Sequence, residues 1–421
     1  MKLKAPHRIS KTSRGIGSFF VPSKNAKNTV LDIYNTKRIT AIIPTYRPES
    51  VTYRLIHNIA LWFPSINIVV VDDNTPTENK KNMKVLENIQ HLAKKNRRIN
   101  VIKTEFKLFK ANALNEGLKF VAAQKVKPEV VITFDDDVVI NRETIPAMID
   151  TLFSHPKIGA ACTNAWVKNK KTNLLTRLQS LEYHGFNMTK IGDNGFLHGP
   201  LVMQGMLAAF KYDVLTQVKG FRTDKLIEDY DITVRIKKEG YKTAIAHKAH
   251  AWTYVPESLA QLWKQRIRWS YGGIIVVKDF YRQVLPLFQD LIGHTLFLSL
   301  LGLIFLSFVI RKHNDTPPLL IEAILILAIC HFILSFTFNI LSLLSYKERD
   351  RIDWIIKLTI LPEFVYSNIL SAILLGSYTF FAFNALTNLG IRYFPRLSKA
   401  QRVGAIVFHK MGYSLTWGTR T

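Results

Sequence analysis

Acidic side chains are scarce in this chain. Its 421 residues hold 31 Asp and Glu against 57 Lys and Arg, a formal net charge of +26. Such an excess suits nucleic acid, an anionic membrane surface or phosphorylated substrates. No RNA- or DNA-binding motif is present, which sets nucleic acid aside and leaves the other two. Only two cysteines occur, Cys162 and Cys330. That is too few for a disulfide framework or a zinc site, and both are expected as buried free thiols. The basic stretch from Lys2 to Lys27 contains no apolar core of signal-peptide length, so it reads as a disordered basic arm ahead of a domain that stays in the cytosol. There is no G-x-x-x-x-G-K-[ST] phosphate loop, which disfavours an ATP-driven transporter. Met203-Gln204-Gly205 is no nucleophile elbow. His184, His198, His247 and His250 do not fall at a metal-ligand spacing. No internal repeat is visible.

What is present divides along the chain. Hydrophobic residues make up 48% and charged residues 21%, a mixture that points to a water-facing part and a lipid-facing part. Between 39 and 252, short β-branched runs (39–43, 66–71, 100–102, 130–134) alternate with helix-like stretches at 48–62, 77–94 and 111–124. This order predicts an α/β domain with a mainly parallel sheet, whose ligands lie beyond the carboxyl ends of the strands. After Tyr281 the character changes. Apolar runs at 291–310 and 319–345 are long enough to cross a bilayer, and 352–361 reads as an interfacial helix before a third span at 363–385. The basic loop Lys347 to Arg351 is expected on the cytosolic side. The resulting division is a basic arm (1–37), a catalytic domain (38–280), interfacial and transmembrane helices (281–390) and a basic tail (391–421). Charge places the tail inside; the count of spans places it outside.

Three clusters carry chemistry. Asp135-Asp136-Asp137 ends a buried strand. Alternate residues of an extended chain share a side, so Asp135 and Asp137 make a natural pair for a divalent cation, which such sites hold with one or two carboxylates and substrate phosphates. A solvent-exposed acidic turn is the plainer alternative. Glu228-Asp229-Tyr230-Asp231 opens a helical stretch; capping explains part of it, and a general base explains the remainder. Gln265, Arg268 and Trp269 fall at i, i+3 and i+4 and share one helical face. Arg suits pyrophosphate and Trp offers a flat surface to a sugar, though an interfacial amphipathic helix has the same pattern. Asp72-Asp73-Asn74-Thr75 follows another strand, where capping competes with a role in binding.

In this order, Ile42-Ile43-Pro44-Thr45-Tyr46, Val70-Val71-Asp72-Asp73, Lys110-Ala111-Asn112-Ala113-Leu114-Asn115, Asp135-Asp136-Asp137, Glu228-Asp229 and Gln265-Arg266-Ile267-Arg268-Trp269 resemble the membrane-integrated family-2 glycosyltransferases. That group includes cellulose, hyaluronan and poly-N-acetylglucosamine synthases. The resemblance implies a GT-A-type nucleotide-sugar transferase domain followed by a C-terminal α-helical transmembrane region. It implies inversion at the anomeric carbon with Mg2+ or Mn2+. By position, Tyr46 and Asp73 would hold uracil, with Pro44, Lys110, Asp135 and Asp136 around the nucleotide sugar. Asp137 and Asp135 would bind the metal, and Asp229 would be the base. Glu228, Gln265, Arg268 and Trp269 would serve the pyrophosphate and acceptor, with Gln179, Glu182 and Tyr183 near the acceptor entrance. Three departures stand out: Phe109 replaces a frequent Gly, Ile227 a frequent Thr, and Met203-Gln204-Gly205 a small-residue pattern.

The function expected from this resemblance is a processive β-glycosyltransferase, integral to the plasma membrane with its catalytic domain cytosolic. It would use a UDP-sugar, with UDP-N-acetylglucosamine favoured, to extend a cell-surface polysaccharide. Single-sugar transfer to a lipid and a non-catalytic scaffold are the alternatives. Membrane lipid and an accessory membrane subunit or further copies of the chain are the expected partners; nucleic acid is not.

Overall fold

The computed structural model describes residues 37–196, 199–280, 302–303, 305–306, 309, 318–393 and 397–413. The basic arm expected before residue 37, and most of the span expected at 291–310, lie outside the described residues. Eight strands form one sheet: β1 (Ile39–Thr45), β2 (Asn67–Asp72), β3 (Ile99–Lys103), β4 (Val130–Phe134), β5 (Val139–Ile140), β6 (Ile158–Val167), β7 (Leu207–Lys211) and β8 (Lys242–Thr253). Their order is β3-β2-β1-β4-β7-β6-β8-β5. β1 to β4 pair in parallel, as expected. β7 then runs antiparallel to both β4 and β6, β8 is parallel to β6, and β5 is antiparallel to β8. The sheet is thus mixed in its second half, which is GT-A-like.

Alternation along the strands gives each face of the sheet its own core. Ala41 and Ile43 of β1 and Ile68 and Val70 of β2 face one layer, while Ile42, Val69 and Val71 face the other. The first layer is covered by α1 (Ser50–Trp62), α2 (Lys80–Lys95) and α4 (Thr144–Phe153); the second by α3 (Phe109–Ala123), α6 (Tyr212–Gln217) and α7 (Glu228–Lys238). In α1 the buried residues Val51, Thr52, Leu55, Ile56 and Ile59 recur at helical spacing, which is what lets the segment lie on the sheet. Gly117 of α3 sits so close to Ile42 that a Cβ there would stand 2.5 Å from its methyl carbon. The carboxyl ends of β1, β2 and β4 therefore open together, with Tyr46, Asp73 and Asp135 just beyond them.

Helices α5 (Leu174–Phe196), α8 (Leu259–Phe280), α9 (Pro318–Ser345), α10 (Arg351–Thr359), α11 (Leu361–Tyr393) and α12 (Leu397–Lys410) complete the described chain. The segments expected as the second span, the interfacial helix and the third span are helical, as α9, α10 and α11. Among the described residues one segment, Leu361–Leu389 of α11, is long and apolar enough to cross a membrane (29 residues, mean hydropathy 1.7). One expectation fails: Cys162 is buried, but Cys330 is exposed. Its helix turns Leu325, Ile326, Ile329 and Ile333 outward as well, so an apolar sequence here does not mean a protein interior.

The helical region is fastened to the sheet domain by charge. Lys170 Nζ lies 2.6 Å from Asp353 Oδ2, and Arg177 Nη1 lies 2.7 Å from Asp350 Oδ2 and 2.9 Å from Asp353 Oδ1. Lys170 also donates to the carbonyl of Glu348 at 2.8 Å. The loop that charge placed on the catalytic side is thus bound to that domain. Beyond it, α12 folds back along α11. Gly404 approaches the Phe383 ring and Gly376 the Tyr413 hydroxyl too closely for any side chain. Tyr413 donates to the Ile373 carbonyl at 3.1 Å, and Trp263 of α8 donates to the Met411 carbonyl at 2.8 Å. The segment expected as a tail contains this helix, and residues 411–413 end beside the catalytic domain's own α8.

Candidate active site

β4 delivers the three aspartates to the open edge, and they separate by side. Thr45 Oγ1 donates to Asp136 Oδ2 at 2.7 Å, which holds Asp136 against β1. Asp135 meets Lys110: Nζ stands 2.6 Å from Asp135 Oδ1, 2.8 Å from Glu228 Oε1, and donates to the Gly205 carbonyl at 3.1 Å. One ammonium therefore joins acids that are far apart in sequence. Burial alone would lower the Lys110 pKa, but Asp135, Glu228 and Asp229 outweigh it and raise it. Lys110 stays charged.

Asp229 lies on the same small cavity as Lys110, Gly205 and Glu228. Its carboxylate accepts from the Gly205 N–H at 3.0 Å and from the Tyr230 N–H at 2.8 Å. Burial and the neighbouring Glu228 charge push its pKa up to about 6, against the pull of Lys110. Glu228 shifts the opposite way: the Lys110 charge overcomes burial and holds it below the ordinary carboxylate range, with a smaller contribution from Arg268. Two adjacent carboxylates thus differ in proton affinity, which is the pattern of a division between a base and a charge partner.

The loop before α3 explains Phe109. Its φ is +63°, in the left-handed region that favours glycine. Asp73 holds this turn by accepting from the Leu108 N–H at 2.6 Å and the Phe109 N–H at 2.9 Å. Asp73 is thus engaged in shaping the loop that aims Lys110. Next to it, Lys107 Nζ lies 3.9 Å from the centre of the Tyr46 ring. Pro44 lies past the last β1–β4 pair, Ile42 with Thr133, where a strand tolerates a missing N–H.

On α8, Gln265, Arg268 and Trp269 are half-buried. Gln265 Oε1 and Arg268 Nε have no hydrogen-bond partner among the described residues. Gly272 packs on Ile227, which sets α8 against the start of α7. Trp269 faces Tyr183 with ring centres 6.4 Å apart. Tyr183 is buried, close enough to Asp135 and Asp137 to sense their charge, and its hydroxyl pKa is pushed to about 12, chiefly by burial. Gln179 stands apart: its amide donates to the Leu175 and Pro256 carbonyls at 3.1 and 2.8 Å. Glu182 binds Arg266, with Nη2 2.5 Å from Oε2. Three neighbours of the site have no role in the sequence reading: Lys107, Arg266 and Tyr366. Arg266 lies inside the Gln265–Trp269 motif, but its partner is 84 residues away, and no local pattern reveals it.

Among the described residues, no three His, Cys, Asp or Glu side chains gather as a metal site. Asp135 and Asp137 offer an oxygen-only donor set, which suits a hard cation that takes its other ligands from phosphate and water. The residues fit such an ion.

Residues 37–272 match the family described as glycosyltransferase-like family 2. The chain belongs to this family. Among curated proteins, this family-2 glycosyltransferase is 28% identical over 269 residues to a poly-beta-1,6-N-acetyl-D-glucosamine synthase of Staphylococcus epidermidis, covering 62% of each chain. It is 26% identical over 258 residues to the synthase of the same name from Staphylococcus aureus strain COL, covering 61% of this chain and 59% of that one. The chain thus spans about three-fifths of the length of these relatives. Among solved structures, a mannosyltransferase from Pyrobaculum calidifontis in complex with GDP-Man and Mn2+ aligns with a TM-score of 0.46 and 18% identity, over 82% of this chain and 86% of that one.

Proposed function

We propose that this protein is an inverting, metal-dependent processive β-glycosyltransferase that adds N-acetylglucosamine from UDP-N-acetylglucosamine to a growing polysaccharide at a membrane. The observation that carries the reading is the Lys110 bridge. It brings Asp135 and Glu228 to one ammonium, with Asp229 on the same cavity. The names of the staphylococcal relatives support the choice of sugar and a polymeric product.

In this reading an acceptor hydroxyl oxygen attacks the anomeric carbon from the side opposite UDP. The carbon–phosphate oxygen bond breaks, and UDP leaves with the electron pair. The hydroxyl proton passes to Asp229, whose carboxylate is fixed by the Gly205 and Tyr230 amides. Lys110 and Arg268 face the negative charge that grows on the diphosphate. Asp135 and Asp137 would hold the divalent ion, which when bound adds charge stabilisation of the leaving group. Tyr46 and Lys107 offer an aromatic and a cationic surface for the base, and Trp269 a platform for the acceptor sugar. Residues 38–280 form the catalytic domain and 281–390 the membrane region, with the catalytic face cytosolic.

Membranes from cells expressing the protein, incubated with a panel of labelled UDP-sugars and Mg2+ or Mn2+, test this. A ladder of products from UDP-N-acetylglucosamine that disappears with a chelator is expected. One sugar on an extracted lipid would replace the polymerase reading with lipid glycosylation, and no transfer from any donor would remove the enzymatic reading.

A further inference from the structure

Beside Trp269 lies a cleft of about 300 Å³ between α5, α8 and α11, with Phe186, Ser270, Leu370, Ser371 and Leu374 on its walls. Arg266 lines it too, but the residue is only 4% exposed. The Arg266 Cζ sits 4.1 Å from the centre of the Trp269 ring. The same guanidinium is held from two other helices: Glu182 Oε2 of α5 at 2.5 Å and the Tyr366 hydroxyl of α11 at 3.4 Å. Tyr366 in turn donates to Glu182 Oε2 at 2.6 Å. A cation on an aromatic face is worth more as the cation is desolvated, and Arg266 is buried. An indole with a planar cation against it, itself locked by a carboxylate and a phenol, has little rotational freedom.

We propose that Arg266, Glu182 and Tyr366 form a positioning unit for the acceptor. Arg266 fixes the orientation of the Trp269 indole on which the terminal sugar of the acceptor rests, and Tyr366 makes that orientation depend on the seating of α11. The unit acts through Trp269 and takes no part in proton transfer or in donor binding. This rests on the transferase reading above and adds to it the residues that set acceptor affinity. Leu370, Ser371 and Leu374 lie one and two turns beyond Tyr366 on α11, so the same helix supplies both the lock and a wall of the cleft that the sugar chain would follow.

The test uses the full chain in membranes with a defined N-acetylglucosamine oligosaccharide as acceptor, and measures donor and acceptor KM separately. Tyr366→Phe removes one oxygen and no volume; Arg266→Lys keeps the charge but loses the planar contact. Each should raise acceptor KM by about tenfold while donor KM stays within about twofold. In a Trp269→Phe background, Arg266→Lys should add nothing further, because the route through the indole is already gone. If Arg266→Lys protein fails to accumulate, Tyr366→Phe and Glu182→Gln carry the test. Equal rises in both KM values, no change in either, or additive effects of Arg266→Lys and Trp269→Phe overturn the inference. Those outcomes all require wild-type transfer, so they are distinct from a wild type that transfers no sugar, which removes the transferase reading and this inference with it.

Discussion

The backbone N–H of Gly205 donates to Asp229 Oδ2 at 3.0 Å, and a Cβ added at Gly205 would stand 2.8 Å from that same oxygen. The amide that orients the proposed base therefore leaves no room for a side chain beside it. Gly205→Ala should displace the carboxylate and lower kcat by about tenfold, short of the roughly hundredfold loss that goes with a misplacement of about 1 Å. Donor KM should change little. Steady-state rates with labelled donor decide it; an unchanged kcat would mean that Asp229 is not the proton acceptor or that the loop yields freely.

The acid limb of the rate profile offers a second check. Asp229 accepts a proton only when ionised, and its pKa is raised to about 6 by burial and by Glu228. Activity should therefore fall as pH drops through about 6 and be flat above it. Glu228→Gln removes a negative neighbour, so the limb should move to lower pH even if the maximal rate also falls. Asp229→Asn should abolish transfer at every pH. A limb that stays in place in Glu228→Gln would assign it to another group.

The joint between the sheet domain and the helical region makes a stability prediction. Asp353 is fully buried and receives both Lys170 and Arg177. Asp353→Asn leaves two cations in a dry interface with one partner fewer and should cost about 3 kcal/mol or more. The midpoint of thermal unfolding in detergent reads this directly. An unchanged midpoint would show that Asp350 alone compensates both cations.

Phe109 gives the opposite sign. A left-handed backbone at a residue with a Cβ costs about 1 kcal/mol, and Phe109 is an exposed residue, 43% accessible, so little packing is lost on removing its side chain. Phe109→Gly should raise the unfolding midpoint, whereas Phe109→Ala, which keeps the strained backbone, should not. Equal effects of the two would place the cost in the ring.

The first half of the fold was legible because parallel strands buried on both faces appear as β-branched runs, and because each ends in a polar residue at the ligand edge: Tyr46, Asp72 and Asp73, Asp135. The second half was not. β7 and β8 take their direction from partners such as Phe210 on Val131 and Thr243 on Ala160, pairings set by the assembled sheet. The acidic clusters were visible as clusters, but the agent that joins them, Lys110, is placed by a backbone turn at Phe109 that only coordinates reveal. The i, i+3 spacing of Arg266 and Trp269 lies in the sequence, but the partners that lock the guanidinium, Glu182 and Tyr366, are remote in sequence. Cys330 departs from the expectation because the apolar residues around it, Leu325, Ile326, Ile329 and Ile333, lie on an outward helix surface.

The contact of Trp263 with the Met411 carbonyl has a consequence for transplantation. α8 is braced by that contact near one end and by Glu182 and Tyr366 in its middle. Moved alone into a relative, or replaced by a relative's version, it would arrive without its scaffolding. The interchangeable cassette in this enzyme is four helices, α5, α8, α11 and α12, drawn from three separate stretches of the chain.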